Sequence, residues 1–347
     1  MTEIDPTDDT SETTKTDDAT TAAQADGGDI DARTDGGTTA DADPAPGVTE
    51  DARGGRFQVD PSRVVLYAVL LLVTAFYLTP LESGVVTSFK TNTAVTQTFP
   101  FAPPLGDGFT TDKWATAFDM LGRGLLNSAL YAIPATLLSG FLGSIAAYGL
   151  TQATWKRRYK AIFLALFVAG VFIPYQAVLV PLTEFWTNVV NLNDLLGFLW
   201  SSGIPESYAN LIELSLTHVA YGIPVCTVLF RSYYKNMSEE MIESARLDGA
   251  TLRRVYRRIV LPLSTPMFAV VLIYQFTQIW NDLLFALILV SSATSEAAPA
   301  TLVLAGLGVD LSGTNFGLQM AGALLTALPT IAVYVMFSEE FSEGVAT

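Results

Sequence analysis

The sequence predicts an all-α integral membrane protein with six transmembrane helices and a disordered acidic N-terminal tail. Three observations predict it. Half of the 347 residues are hydrophobic and only 15% are charged, whereas a soluble chain carries about 25% charge. The apolar residues come in long blocks. Uncharged runs cover residues 64–81, 124–155, 161–183, 214–230, 259–281 and 311–338, each close to or beyond the roughly 20 residues that cross a bilayer core as a helix. The basic residues also alternate by side. Loops 151–160 and 231–265 hold eleven Lys and Arg, against three (Lys90, Lys113 and Arg123) in the loops opposite.

Spans are therefore expected at about 63–81, 124–150, 161–183, 209–230, 266–290 and 317–338. The positive-inside rule places loops 151–160 and 231–265, and both termini, in the cytoplasm of a multi-pass cell-membrane protein. The chain divides into a tail, residues 1–60, and a transmembrane domain, residues 61–347. The net charge of −15 belongs mainly to the tail, where 16 Asp and Glu face four Lys and Arg. With almost no large apolar side chain before Phe57, the tail cannot bury enough surface to offset its ordering entropy. It lacks the basic start and short apolar core of a signal peptide.

Between the spans, the outer segments 91–122 and 183–208 carry Phe99, Phe101, Trp114, Phe118, Trp186, Phe198 and Trp200, which read as interfacial anchors of helix ends. In the second span, Gly140 with Ser144 and Gly143 with Ala147 are small residues four apart, a spacing that permits close helix packing. In the fourth span, His218 reads as a satisfied structural histidine and Cys226, the only cysteine, as a small buried hydrophobe. Pro174, Pro181, Pro224, Pro266 and Pro329 lie in or beside spans and set kinks.

The longest cytoplasmic loop, 238–262, reads as helix, turn, helix. Ser238 caps a first helix with Glu239 and Glu240 in its first turn. Gly249 follows Asp248 where a helix end wants positive φ, and Thr251 restarts a second helix that Pro262 ends. Its expected apolar face is Ile242, Ala245 and Leu247 with Val255, Tyr256 and Ile259. In the fifth span Tyr274, Thr277, Gln278 and Asn281 form one polar stripe. Such a stripe faces either neighbouring helices, by interhelical hydrogen bonds, or a solute pathway. Asp282 at its outer end sits at the interface or pairs with a basic group. There is no phosphate-binding Gly-rich loop, no metal-ligand cluster and no nucleophile–base pair in the sequence. A catalytic site, a metal and a cofactor are thus all expected to be absent.

Glu243-Ser244-Ala245, three residues, Gly249, nine residues, then Ile259, Val260, Leu261 and Pro262 resembles the EAA loop of ABC importer permeases, with Ser244 in place of an alanine. Ser88-Phe89-Lys90, Asn127-Ser128, Ala146-Ala147-Tyr148, Pro174 to Pro181-Leu182, Trp280-Asn281-Asp282 and Phe341 to Gly344 extend the resemblance over residues 63–344, to permeases of the maltose and multiple-sugar type. The resemblance implies the type I importer permease fold. It also implies that Glu243, Ser244, Ala245, Asp248, Gly249, Ile259, Leu261 and Pro262 form an ATPase-coupling element. Alternating access would then be driven by separate ABC ATPase subunits that bind ATP, with a second permease subunit and an extracytoplasmic solute-binding protein. A sugar is the implied cargo, glycerol phosphate or another polyol the alternative. A non-transporting scaffold or channel is the reading from a different class.

Overall fold

The structure, a computed structural model, describes residues 61–310 and 313–339. The expected tail disorder over 1–60 and the motif Phe341 to Gly344 lie outside them. In chain order the helices are α1 (Pro61–Ser88), α2 (Asp112–Gln152), α3 (Arg157–Val171), α4 (Tyr175–Glu184), α5 (Ala209–Lys235) and α6 (Glu239–Leu247). They continue with α7 (Leu252–Leu263), α8 (Thr265–Trp280), α9 (Leu284–Leu289), α10 (Ala300–Gly306) and α11 (Phe316–Met336), with shorter turns between. A small hairpin pairs Val309–Asp310 with Gly313–Thr314.

Helices α1, α2, α5 and α11 are long and apolar enough to cross a membrane unbroken, and the count reaches six if each of two bent pairs is one span. The third expected span is one of these. Instead of one helix over 161–183, α3 and the chain from Tyr175 to Leu195 meet at 96°. Pro174 stands at the break with φ −70° and ψ 138°; it has no N–H to continue the α3 ladder and holds Ile173 away from helical ψ. The fifth expected span is also interrupted. α7 and α8 meet at 76°, and α8 ends at Trp280, short of the expected 290. Asp282 then accepts the Phe285 N–H at 3.0 Å, which starts α9 as a separate helix. The second span exceeds expectation in the other direction: 41 residues of α2 give about 60 Å of helix at 1.5 Å per residue, twice the hydrocarbon thickness.

α2 and α5 form the centre of the molecule. Their seam is built from small residues: a Cβ on Gly222 would sit 2.7 Å from Ser139 Cβ, and one on Gly143 would overlap Cys226. Cys226 is fully buried there. In a bilayer, close approach of this kind replaces the hydrophobic effect as the source of helix association. α3 leans on α5 through Gly170, where an added Cβ would lie 3.1 Å from Pro224. α1 touches the rest mainly through α11, near Gly84 and Met320, and the apolar side chains of its spanning window are exposed all round.

The outer segments differ from simple interfacial anchoring. Trp114 stacks on Phe89 with centroids 5.5 Å apart and donates to Ser88 Oγ at 3.2 Å. Trp186 is buried and donates to Thr217 Oγ1 at 3.0 Å. These two rings pack inside the protein, whereas Phe99, Phe101, Phe118 and Phe198 are exposed as anchors would be.

Candidate functional site

The loop between α5 and α8 is ordered by local chemistry that the residues themselves dictate. Ser238 Oγ accepts the Met241 N–H at 3.4 Å, opening α6. At its other end the Gly249 N–H donates to Arg246 O at 2.9 Å and the Ala250 N–H to Ala245 O at 3.0 Å. That pair of bonds is a Schellman motif, which requires a residue with positive φ after the cap. Gly249 has φ +80°. Thr251 Oγ1 then accepts the Arg254 N–H at 3.4 Å and starts α7.

The inner face of the loop is fixed to the spans. Ile242, Val255, Tyr256 and Val260 are buried, packed with Tyr148, Phe230 and Tyr234 of α2 and α5. Ser144 of α2 takes the Tyr234 hydroxyl at 2.6 Å and the Tyr256 hydroxyl at 2.8 Å. Tyr148 donates to Leu252 O at 3.0 Å, Tyr233 to Leu263 O at 2.8 Å, and Arg246 to Gln152 O at 2.8 Å. A push on the loop therefore reaches α2 and α5 through hydrogen bonds and close-packed rings rather than through a flexible linker.

Its outer face is open among the described residues. Glu243, Ser244, Asp248 and Gly249 are exposed, Ala245 is half-buried, and nothing lies within 4 Å of the place where a Gly249 Cβ would stand. Leu247 departs from expectation. Placed by periodicity on the inward apolar face, it is 89% exposed and projects with Glu243 and Asp248. The motif residues Ile259 and Leu261 are half-buried against the same cluster as Tyr256, and Pro262 is exposed two residues before the bend at Ser264. The motif thus splits into an offered half, 243–249, and a packing half, 259–262.

The polar stripe holds together as one face. Tyr274, Thr277 and Gln278 of α8 and Asn281 at its C-cap are all exposed, while Val271, Gln275, Ile279 and Trp280 are buried on the opposite side. Thr277 donates to Ile273 O at 2.8 Å and Asn281 to Thr277 O at 2.9 Å, so both are satisfied along their own helix. Buried Gln275, absent from the expected set, accepts from Cys226 Sγ at 3.8 Å. The periodicity of the stripe could not reveal it, because a single polar residue on an apolar face has no pattern.

At the C-terminal end of α8 the sequence motifs become ties. Trp280 donates to Thr326 O of α11 at 2.9 Å. Asn127 donates to Glu296 O at 2.8 Å and Ala298 O at 3.0 Å, and Ser128 accepts the Ala300 N–H at 2.9 Å. Asp282 lies 3.6 Å from His218 Nε2, so it pairs inside the protein rather than at the interface. His218 is buried against Tyr131 and Phe285, and its Nε2 has no hydrogen bond. The histidine expected to be satisfied is buried as a structural residue would be, but among the described residues its Nε2 lacks a hydrogen-bond partner and the ring is held by stacking.

Residues 139–338 match the family of binding-protein-dependent transport system inner membrane components. The chain belongs to that family. The permease is 48% identical over 292 residues to the xylose/arabinose import permease protein XacI of Haloferax volcanii, covering 83% of this chain and 94% of that one. It is 27% identical over 283 residues to the glucose import system permease protein of Saccharolobus solfataricus, covering 80% and 91%. In fold it matches a chain of a bacterial ABC transporter that imports the acidic polysaccharide alginate, with TM-score 0.57 and 20% identity over 82% of this chain and 98% of the other. The permease is a multi-pass membrane protein of the importer fold.

Proposed function

We propose that this permease admits a sugar to the cytoplasm as one subunit of an importer whose ATP is bound and hydrolysed by separate ATPase subunits. The observation that carries the reading is the loop 238–262: an exposed turn, formed by Glu243 to Gly249, stitched on its inner face to α2 and α5. Such an element receives a partner's motion and passes it on, and it needs no catalytic group or cofactor of its own. Glu243, Ser244, Ala245, Asp248 and Gly249 are assigned to contact with the ATPase. Ile259, Leu261 and Pro262 are assigned to keeping the loop seated.

The eleven-to-three distribution of loop Lys and Arg supports a cytoplasmic position for this loop and for both termini. A second permease subunit accounts for two exposed surfaces, the polar stripe of α8 and the all-round apolar α1. Between paired subunits, Tyr274, Thr277, Gln278 and Asn281 line a solute path whose hydroxyls and amides suit a neutral polyhydroxylated cargo. An extracytoplasmic binding protein delivers it. The cargo class is supported by relatives named for xylose/arabinose, alpha-glucoside and glucose transport.

The test is uptake of labelled pentoses, hexoses, polyols and glycerol phosphate by a deletion strain complemented with this gene. Sugar uptake that returns with the gene is the expected result. Return of glycerol phosphate or polyol uptake alone, or of none, would overturn the sugar assignment.

A further inference from the structure

We propose that the recess between the outer ends of α4, α5 and α9 is a separate, low-affinity binding site for a neutral solute of monosaccharide size, centred on the Glu213 carboxylate. The inference rests on the sugar reading above and adds a site that the polar stripe does not include. Its starting point is an under-satisfied buried acid. Glu213 lies one turn into α5 and is 7% exposed. Among the described residues its one hydrogen bond comes from Asn210 Nδ2 to Oε2 at 3.4 Å, and no basic side chain pairs with it. Oε2 has that single donor and Oε1 keeps access to solvent, so the carboxylate remains open to donors from a bound molecule.

A recess of about 210 Å³ opens over that carboxylate. One water needs about 10–15 Å³ of cavity, so the space admits a molecule of several hydroxyl groups. The rim is amphoteric. Asn193 and Thr187 are exposed, and their side chains make no hydrogen bond among the described residues. Asn191, held at φ +37°, spends its amide on Asp194 at 2.7 Å and keeps its carbonyl oxygen free to accept. Trp186 supplies a flat wall whose orientation is fixed by its bond to Thr217.

Amides and hydroxyls that donate and accept match sugar hydroxyls, which do both. A lone carboxylate with no basic neighbour disfavours anions. A bare cation would need more oxygen ligands, and the described residues contain no group of three acidic, His or Cys side chains placed to hold one.

The test uses the whole permease with its ATPase in nanodiscs, without binding protein, and saturation-transfer NMR with D-xylose and D-glucose as probes. Saturable millimolar binding is expected. Glu213→Gln should weaken it at least tenfold, as loss of a charge-assisted hydrogen bond does. Asn193→Ala, an exposed change that keeps Glu213 in place, should weaken it about threefold. Asn188→Ala, outside the recess, should leave it unaltered. No saturable signal in wild type, equal binding by Glu213→Gln and Asn193→Ala, or displacement of the sugar by millimolar calcium would each overturn the site. Cellular uptake is scored separately. Uptake without this binding sinks the recess and leaves the transport reading standing, while binding without uptake does the reverse.

Discussion

Gly249 illustrates how one residue's backbone sets the loop. At φ +80° an L side chain pays roughly 1–2 kcal/mol of steric cost, more if β-branched. Gly249→Val should therefore loosen the Schellman turn and displace Leu247 and Asp248, yet leave the buried residues Ile242 and Val255 seated. Membrane abundance is expected to stay near wild type while transport falls below a tenth, checked by immunoblot and uptake in the same cells. Tyr256→Phe probes the other face. It deletes the hydroxyl bonded to Ser144 at 2.8 Å, a loss of about 0.5–1.5 kcal/mol. The ATPase should still be recovered, but uptake per ATP hydrolysed should drop severalfold in liposomes; unchanged coupling would remove Tyr256 from the transmission route. Gly249 was legible in the sequence because turn chemistry is local. Leu247 was not, since a nine-residue helix offers too few turns for periodicity to separate an inward face from one that waits for another chain.

At the scale of elements, hydropathy located the membrane segments and missed where they break. Residues 161–183 are uncharged throughout, so a transfer scale sees one span. The 96° turn depends on Pro174 and on what α4 packs against, which are stereochemical and tertiary facts. The seam between α2 and α5 was legible from Gly143 and Ala147, although its partner, Cys226, was not, because sequence spacing says nothing of which helix faces the small residues. Gly143→Leu should be the most disruptive single change in the spans. It drives a side chain into Cys226 and the α5 backbone, and overpacking of this kind costs about 1–3 kcal/mol. A lowered melting temperature and reduced abundance are expected, where Gly149→Leu, whose Cβ would meet nothing within 4 Å, should change neither. Equal melting temperatures for the two would contradict the packed seam.

The whole molecule exposes two surfaces of different kinds, an apolar one that lipid can cover and a polar one that it cannot. α1 has no buried face in its spanning window, and the α8 stripe is polar yet open. Orientation in the membrane fixes which partners reach which surface. With Cys226→Ala as background, cysteines placed at Lys156 and Lys235 should resist an impermeant maleimide in intact cells and react after permeabilisation. Labelling of either from outside would invert the topology. If the labelling places the loop in the cytoplasm, one decisive question is left, whether its exposed face holds the ATPase. The measurement is recovery of ATPase with affinity-tagged permease from detergent-solubilised membranes, compared across wild type, Glu243→Lys, Leu247→Asp, Gly249→Val and Thr277→Ala. Truncating one side of a desolvated charge pair at an interface costs about 2–5 kcal/mol, enough to release a subunit. The three loop variants should insert normally and lose the ATPase, while Thr277→Ala should retain it whatever its uptake. Wild-type recovery of the ATPase by all three loop variants would contradict the account.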